Sequence, residues 1–427
     1  MLEERLESDT LLFITTKRMC LMKPTKDKFT VLKQICELIP RNIVYTLAKE
    51  HGVDKQCRTF KPWSHVVALI FTQLSHALSL NDVCDTLKNH SGVLTTIRRA
   101  TPPSRNGLSY ANRERNADMA EALFWKMMDH LKTINPKFGT GRKYSGFPRR
   151  FKRVINVVDS TTIQLVSNCI DWAKHRRRKA AAKCHMRLDL ETFLPRFAIV
   201  RESKSDASEA KELCVGMQSG EIVIFDKAYV DFDHLFNLDH RGIFWVTRAK
   251  DNMVYTVVVS NPVKGNTISD EEIVLTTPSS QKKYPKKLRL IKALVEINGK
   301  QECLSFITNN MNWAASSICD LYKARWSIEV FFKQMKQTLQ LADFLGHNKQ
   351  AVRWQIWTAL LTYVLLRFIA FQSKWKGTFA RLFTILRGTL WSTLSMFSIL
   401  DCCGTAGGKP KLIARPAQVY LPGFEWV

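Results

Sequence analysis

The sequence predicts an α/β fold: a mixed sheet preceded by a helical segment. Three observations carry this. Apolar residues recur near the helical period from residue 29 to 95. From residue 153 onward, short β-branched runs alternate with amphipathic stretches. A strongly patterned helix follows the last of those runs, at Tyr322 to Lys336.

Taken in order, "FTVLKQICELI", "SHVVALIFTQLSHAL" and "SLNDVCDTL" read as helices, the third capped at Ser79 or Asn81. "TPPSRNG" at 101–107 is a break, and "SYANRERNADMAEALFWKMMDHL" then reads as one long helix. Residues 135–153 are Gly-rich and basic and read as a linker. "RVINVVDSTTIQLV" holds a β-branched run that ends at Asp159. "CHMRLDL" and "PRFAIVRE" give two more strands, and "DASEAKELC" a helix. "GEIVIFDKAYV" is a strand ending at Asp226, "DFDHLFNLDHR" a helix and "GIFWVTRAK" a strand. The order β-β-β-α-β-α-β implies a mixed sheet. Residues 251–302 break that rhythm with strand-like runs and no helix, and read as a β insertion. "CLSFITNN" is one more strand. The expected organisation is an extension at 1–28, a helical domain at 29–100, a helix and linker at 101–152, an α/β domain at 153–403 and an extended tail at 404–427.

The 427 residues suffice for two or three domains. The charge is unusual: 64 Lys and Arg against 38 Asp and Glu give +26, which points to a polyanionic partner, most often nucleic acid. The eleven cysteines form no Cys-x-x-Cys pair, so neither a zinc framework nor a secreted disulfide scaffold is expected. "TLLFITT" near the start follows acidic residues and precedes no cleavage pattern, so no signal peptide is expected. The apolar run from Ile356 contains Arg367 and is shorter than the roughly 20 residues a membrane span needs. A buried helix is expected there, with an interfacial segment as the alternative, and no membrane partner.

In "YKARWSIEVFFKQMK", Tyr322, Arg325, Glu329 and Lys336 fall within about 60° of one helix face, along a ridge about 21 Å long. Leu321, Ile328, Phe332, Met335 and Leu339 form an apolar stripe that docks the helix. Asp159 and Asp226 each follow an apolar strand, and Glu329 lies on a helix that follows the same sheet. Three such carboxylates suit hard divalent cations. Two Mg2+ ions held about 4 Å apart would activate an attacking hydroxyl and stabilise the leaving oxygen in phosphodiester cleavage. Singly, each Asp also reads as a turn or cap residue. Glu329 also reads as an ion-pair partner of Arg325 or Lys333.

The spacing Tyr, two residues, Arg, three residues, Glu, six residues, Lys resembles the hallmark of DDE-type insertion-sequence transposases. The resemblance is to the large bacterial family named after insertion sequence four, in the subgroup with the Tyr-Arg-Glu-Lys motif. It extends over roughly residues 29–425. It implies an RNase H-like mixed sheet with a β insertion before the last catalytic helix. It also implies that Asp159 in "VVDSTT", Asp226 in "FDKAYVD" and Glu329 are the catalytic, metal-binding acids. Tyr322, Arg325 and Lys336 match residues that contact DNA phosphates. Two Mg2+ ions, with Mn2+ as a substitute, double-stranded DNA at the element's inverted-repeat ends and at the target, and a homodimer pairing two ends are the implied cofactors and partners. The implied location is the bacterial cytoplasm, on the nucleoid.

One departure stands out. The family's second motif reads Asp-Arg-Gly-Tyr, whereas here it is Asp226-Lys227-Ala228-Tyr229. Lys lacks the bidentate fork of Arg, and Ala takes positive φ less readily than Gly. Further candidate DNA contacts are Lys333, the basic run 175–189 with Lys179 and Lys183, which also reads as a solvated surface loop, and Arg248 with Lys250, which equally read as plain surface charge; His185 in the same run reads as a structural histidine. Trp326 is expected in the core, with base stacking as the alternative. Two rival functions remain: an impaired DNA-binding regulator of transposition, and an RNase H-like nuclease without strand transfer.

Overall fold

A computed structural model describes residues 23–403 except 56, 141–149, 165–173, 176–178, 203–205, 298–299, 340–345 and 347. The predicted C-terminal tail, most of the N-terminal extension, much of the basic linker and the Lys179 side chain lie outside the described residues. The chain forms two compact units. One comprises the described parts of Met1–Leu38, Gly92–Arg98 and Leu365–Val427. The other comprises those of Ile39–Ser91 and Arg99–Val364.

In the first unit the helix Val31–Glu37 starts at Thr30, whose hydroxyl accepts from the Lys33 N–H. The chain around it is laced to residues 390–396. Asp27, Val31 and Leu32 donate backbone N–H groups to Thr393, Ser392 and Leu390, and the Gln34 amide donates to Leu394. These bonds satisfy donors that a helix start leaves open.

The second unit contains the sheet. Ten strands run in the order β2-β3-β1-β5-β6-β10-β9-β8-β7, with β4 also paired to β3. They are β1 Ile155–Gln164, β2 Lys174–His175, β3 Lys179–Asp189, β4 Pro195–Glu202 and β5 Ile222–Phe225. The others are β6 Phe244–Arg248, β7 Tyr255–Ser260, β8 Thr267–Leu275, β9 Leu288–Ile297 and β10 Lys300–Thr308. β3 is antiparallel to β1 and β4, whereas β1, β5 and β6 are parallel neighbours. The helices Asp206–Leu213 and Phe232–His240 make the crossovers that parallel pairing requires. This is the expected mixed α/β arrangement. Its central strand β5 is "IVIF", buried at every position, as a strand covered on both faces must be.

Two expectations about elements need correction. The predicted long helix 109–131 is two, Arg105–Glu114 and Asp118–Ile134. Arg115 at the break extends its guanidinium to the Phe60 carbonyl and to Cys57, and the Asn116 side chain accepts from the Asp118 N–H. The local Asn116 bond competes with helix continuation. The insertion holds a short helix, Pro278–Lys283, opened by a proline at its first turn. Its strands extend the main sheet through β10, because β9 pairs with β10 along its whole length.

The helix Lys349–Gln372 is long and apolar enough to cross a membrane, but 83% of its most apolar stretch is buried inside the protein. That is the buried helix expected. Within the second unit it receives the helical segment: Arg353 pairs with Asp118 and Glu121, and the Trp354 indole donates to the Arg115 carbonyl.

Candidate active site

The site begins with a strand register. β1 and β5 pair from Ile155–Ile222 to Val158–Phe225, and the next residues are Asp159 and Asp226. β5 ends there, but β1 does not. It continues to Gln164 because β3 still offers it a partner, as far as Ala181. Asp159 therefore sits mid-strand rather than at the predicted strand end; what ends there is the parallel pairing. Asp226 leads into a tight 3-10 turn, Lys227–Tyr229, and its carboxylate makes no cap bond to that turn. A simple capping role does not account for it.

The motif helix approaches from β10 in three pieces. Ala315–Ala324 is α-helical, Arg325 forms a joint, Trp326–Lys333 is α-helical again, and Gln334–Thr338 is π-helical. The single ridge read from the sequence is thus corrected. A π turn holds more residues than an α turn, so Lys336 rotates off the line of the other three. The apolar stripe docks as predicted: Leu321, Ile328, Phe332, Met335 and Leu339 are all buried.

This docking brings the motif to the carboxylates. Arg325 donates to Asp159 Oδ2 at 2.9 Å and to Glu329 Oε1 at 2.6 Å. The Tyr322 hydroxyl donates to Asp226 Oδ1 at 3.2 Å. The Ser160 N–H donates to Asp159 Oδ1 at 2.7 Å. Burial pushes Asp159 up to about 6, against the Ser160 N–H and Arg325, and the nearby Asp226 and Glu329 carboxylates add to the rise. Burial also lifts the Tyr322 phenol to about 12; Arg325 opposes this and Asp226 adds to it. Burial works against the Arg325 charge, but Tyr322, Asp159 and Glu329 outweigh it and raise its pKa.

The remaining predicted residues divide. Arg248 ends β6 opposite Phe306, whose ring packs against Tyr322 at 5.0 Å, and its charge acts on the Tyr322 phenol. It belongs to the cluster. The Lys336 ammonium donates to the Thr162 carbonyl at 2.8 Å, three residues further along β1. Burial lowers its pKa, and Cys184 acts in the other direction. Lys333 is exposed at the end of its helix. Lys183 pairs with Thr162, so strand alternation turns it to the opposite face from Asp159. His185 is fully buried, with Nδ1 at 3.4 Å from the Tyr229 hydroxyl, as suits a structural histidine. Trp326 is 58% exposed, which overturns the expected core role. It opens the helix after the Arg325 joint, about 200° round the helix from Ile328 and so on the face away from the docking stripe.

The departure at the second motif is accommodated. Ala228 has no positive φ, and the turn carries it in an ordinary conformation. Tyr229 is buried and stacked on Phe225. Lys227 reaches Asp251 at 3.3 Å on the surface. A cleft of about 490 Å³ lies here, lined by Asp226, Lys227, Ala228, Lys250, Asp251 and Asn252. Asp251 and Asn252 were not singled out in the sequence; the only signal was their place directly after the β6 strand.

Among the described residues, no three His, Cys, Asp or Glu side chains are gathered closely enough to enclose one ion. The donor chemistry of Asp159, Asp226 and Glu329 nevertheless fits a hard divalent cation. Arg325 already holds a positive charge between two of them. A cation held by these carboxylates would have to share Asp159 and Glu329 with the guanidinium.

Comparison with known proteins agrees with this geometry. The transposase DDE domain family matches residues 150–365, and a domain of unknown function, DUF4372, matches residues 27–97. The chain is 32% identical to "Putative transposase y4zB" of Sinorhizobium fredii over 52% of its own length and 62% of that protein. It is 28% identical to "Probable transposase for insertion sequence element IS5377" of Geobacillus stearothermophilus, covering 53% and 59%. It is 30% identical to the transposase InsG for insertion sequence element IS4 of Escherichia coli, over 22% of each chain. The chain thus spans about six tenths of the length of the first two relatives. A piggyBac transposase synaptic complex with hairpin DNA aligns at a TM-score of 0.44 and 12% identity, over 90% of this chain and 82% of that one. With half of its length matched by the family and IS4-like relatives on either side of 30% identity, the chain belongs to the DDE transposases, among the IS4-like members.

Proposed function

We propose that this chain is the transposase of an insertion sequence. It binds the inverted-repeat ends of its element, cuts them, and joins the freed strand to a target. The observation that carries this reading is the β1–β5 register, which sets Asp159 beside Asp226, with Glu329 tied to Asp159 through Arg325. The Tyr-Arg-Glu-Lys subgroup fits the same residues. Two divalent ions, Mg2+ with Mn2+ as a substitute, held by the three carboxylates would activate a water or a 3′-hydroxyl and stabilise the leaving oxygen.

The chain's own residues supply the rest. Arg325 offers a planar fork of donors suited to a phosphate, and Arg248 and Tyr322 lie on the same side. Lys333 and Lys336 extend the basic track along the motif helix. Lys183 is outside the contacts to the scissile phosphate, because it faces the other side of the sheet. The charge of +26 supplies the long-range attraction to DNA. A homodimer is part of this reading, since two ends must be brought together, and the bacterial nucleoid is where it acts.

The test is cleavage of a supercoiled plasmid carrying the element's ends, with Mg2+. The parent protein should give nicked, linear and strand-joined products. Asp159→Asn, Asp226→Asn and Glu329→Gln should each slow cutting by at least about a hundredfold while still binding DNA in EDTA. Parent-like cutting by Asp159→Asn would sink the assignment. Cleavage without joined strands would mark a nuclease, and DNA binding without metal-dependent cutting a regulator.

A further inference from the structure

Each carboxylate of the candidate triad is held by a side chain of the candidate DNA grip. Arg325 engages Asp159 and Glu329, and Tyr322 engages Asp226. We propose that Arg325 and Tyr322 are positioning residues that hold the metal ligands closed until a DNA phosphate draws them away, so that DNA and divalent cations bind cooperatively. This rests on the function proposed above and adds an order to it, phosphate first and cations second.

The chemistry of the donors leads there. A guanidinium has only donors, so Arg325 occupies acceptor positions on the same carboxylates a cation would use. Its side chain is 13% exposed and that of Asp159 17%, which shields this pair from the screening that weakens surface pairs; Glu329, at 38%, is more open to water. A divalent ion entering beside it would meet a like charge at close range. A phosphate, by contrast, presents the same fork geometry as a carboxylate and can take the guanidinium over. Tyr322 follows the same logic, since its hydroxyl can donate to a phosphate oxygen instead of Asp226.

The backbone supports such an exchange. Arg325 sits at the joint between two helices, with its N–H bonded to the Tyr322 carbonyl and its own carbonyl bonded to the Ile328 N–H. These contacts fix the backbone of the joint and leave the guanidinium as the part that can move. An ordinary helix pair at four residues' spacing would explain Glu329 alone. It does not explain the bond to Asp159, which lies on β1.

If phosphate and metal compete for opposite ends of the same contacts, linkage makes the effect reciprocal: DNA tightens metal binding, and metal tightens DNA binding. The test uses the full chain and Mn2+ alone as probe, read by electron paramagnetic resonance and by calorimetry. Binding is measured with and without a phosphorothioate duplex that cannot be cut, after subtracting Mn2+ bound by the duplex itself. The parent should bind Mn2+ about tenfold more tightly with DNA than without. Without DNA, Arg325→Gln should bind Mn2+ about tenfold more tightly than the parent and gain little more from DNA, with Arg325→Lys between the two.

An Mn2+ affinity that DNA leaves unchanged in the parent overturns the proposal. So does an Arg325→Gln variant that binds Mn2+ no better than the parent. If that variant does not fold, the parent with and without DNA decides alone. Asp159→Asn separates this idea from the function beneath it. Mn2+ binding that needs Asp159 but ignores Arg325 and DNA defeats only the coupling. Mn2+ binding in the DNA complex that is unchanged in Asp159→Asn defeats the functional reading as well.

Discussion

Asp159 and Asp226 stand side by side on neighbouring parallel strands, each one residue past the last paired position, Val158 with Phe225. Adjacent strands lie about 4.8 Å apart, so this register alone brings two carboxylates from distant parts of the chain to one edge. The carboxyl ends of parallel strands are where open α/β sheets place their sites. The surrounding fold serves this edge. Val158, Val223, Phe225 and Trp245 are buried in one cluster that fixes the strands. The helix stripe then sets Glu329 against them.

The turn after Asp226 gives the first prediction. The family pattern has glycine where this chain has Ala228, but Ala228 has an ordinary φ and an exposed side chain. Glycine there would only add freedom to the unfolded chain. Ala228→Gly is therefore expected to lower stability by roughly 0.5 kcal/mol in a urea melt and to leave plasmid cleavage no faster. A variant that cuts several times faster would show that alanine impairs the site after all.

That turn also shows what the sequence could and could not tell. The helical period at 29–95, the β-branched run before Asp159 and the apolar stripe on the motif helix are local patterns. Each reports which face of an element is buried, and each reappears in the structure. What failed depended on partners elsewhere in the chain. β1 runs past Asp159 because β3 lies beside it; the β-branched Thr161, Thr162 and Ile163 favour a strand there, but nothing local names the partner that extends it. The ridge from Tyr322 to Lys336 assumed one unbroken α-helix. The joint at Arg325 and the π turn at Gln334–Thr338 break that assumption, and neither contains a glycine or proline to mark it. The bland reading of Glu329 as a partner of Arg325 holds too, with Asp159 joined to the same guanidinium.

Trp326 supplies a second prediction. It is 58% exposed and directly follows Arg325, so its ring can meet a base beside the phosphate that Arg325 is proposed to bind. Trp326→Ala should change folding stability by less than about 0.5 kcal/mol, since little packing is lost. It should weaken binding of a duplex with an unpaired end by about 1–3 kcal/mol, read by fluorescence anisotropy in EDTA. Unchanged affinity would remove Trp326 from the DNA surface.

Arg289 anchors the insertion to the loop that feeds the motif helix. It pairs with Asp270 at 2.8 and 2.6 Å and donates to the carbonyls of Asn310, Met311 and Trp313, all just before the helix Ala315–Ala324. Both partners are almost fully buried, at 7% and 4% side-chain exposure. Arg289→Ala would leave the Asp270 charge buried with no counter-ion and only the Asn261 amide as partner, at an expected cost of about 3–5 kcal/mol. Replacing both, as Arg289→Met with Asp270→Leu, should recover part of that stability but not the hold on the loop. Cleavage should therefore stay impaired in the double variant at temperatures where it is folded. Full activity in the refolded double variant would show that the loop needs no anchor.

His65 predicts an acid response. Its ring is fully buried, Nε2 lies at 2.8 Å from Asn112 Oδ1, and the ring packs against Trp354 at 4.6 Å. Burial, and next the charge of Arg115, lower its pKa from the ordinary 6.5 to about 3. The folded protein thus keeps the imidazole neutral, with Nε2 donating to Asn112, while the unfolded chain takes up a proton below 6.5. The unfolded state then binds more protons, so stability must fall as pH falls from 6.5 towards 3. The slope from this one group approaches about 1.4 kcal/mol per pH unit inside that window and vanishes above it. His65→Gln keeps a side chain able to donate to Asn112 and cannot be protonated. It should lose stability at pH 7.5 through poorer packing against Trp354, yet lose less than the parent between pH 6 and pH 4. Denaturant melts of both proteins across that range measure the difference, and parallel slopes would show that His65 is not the group that senses acid.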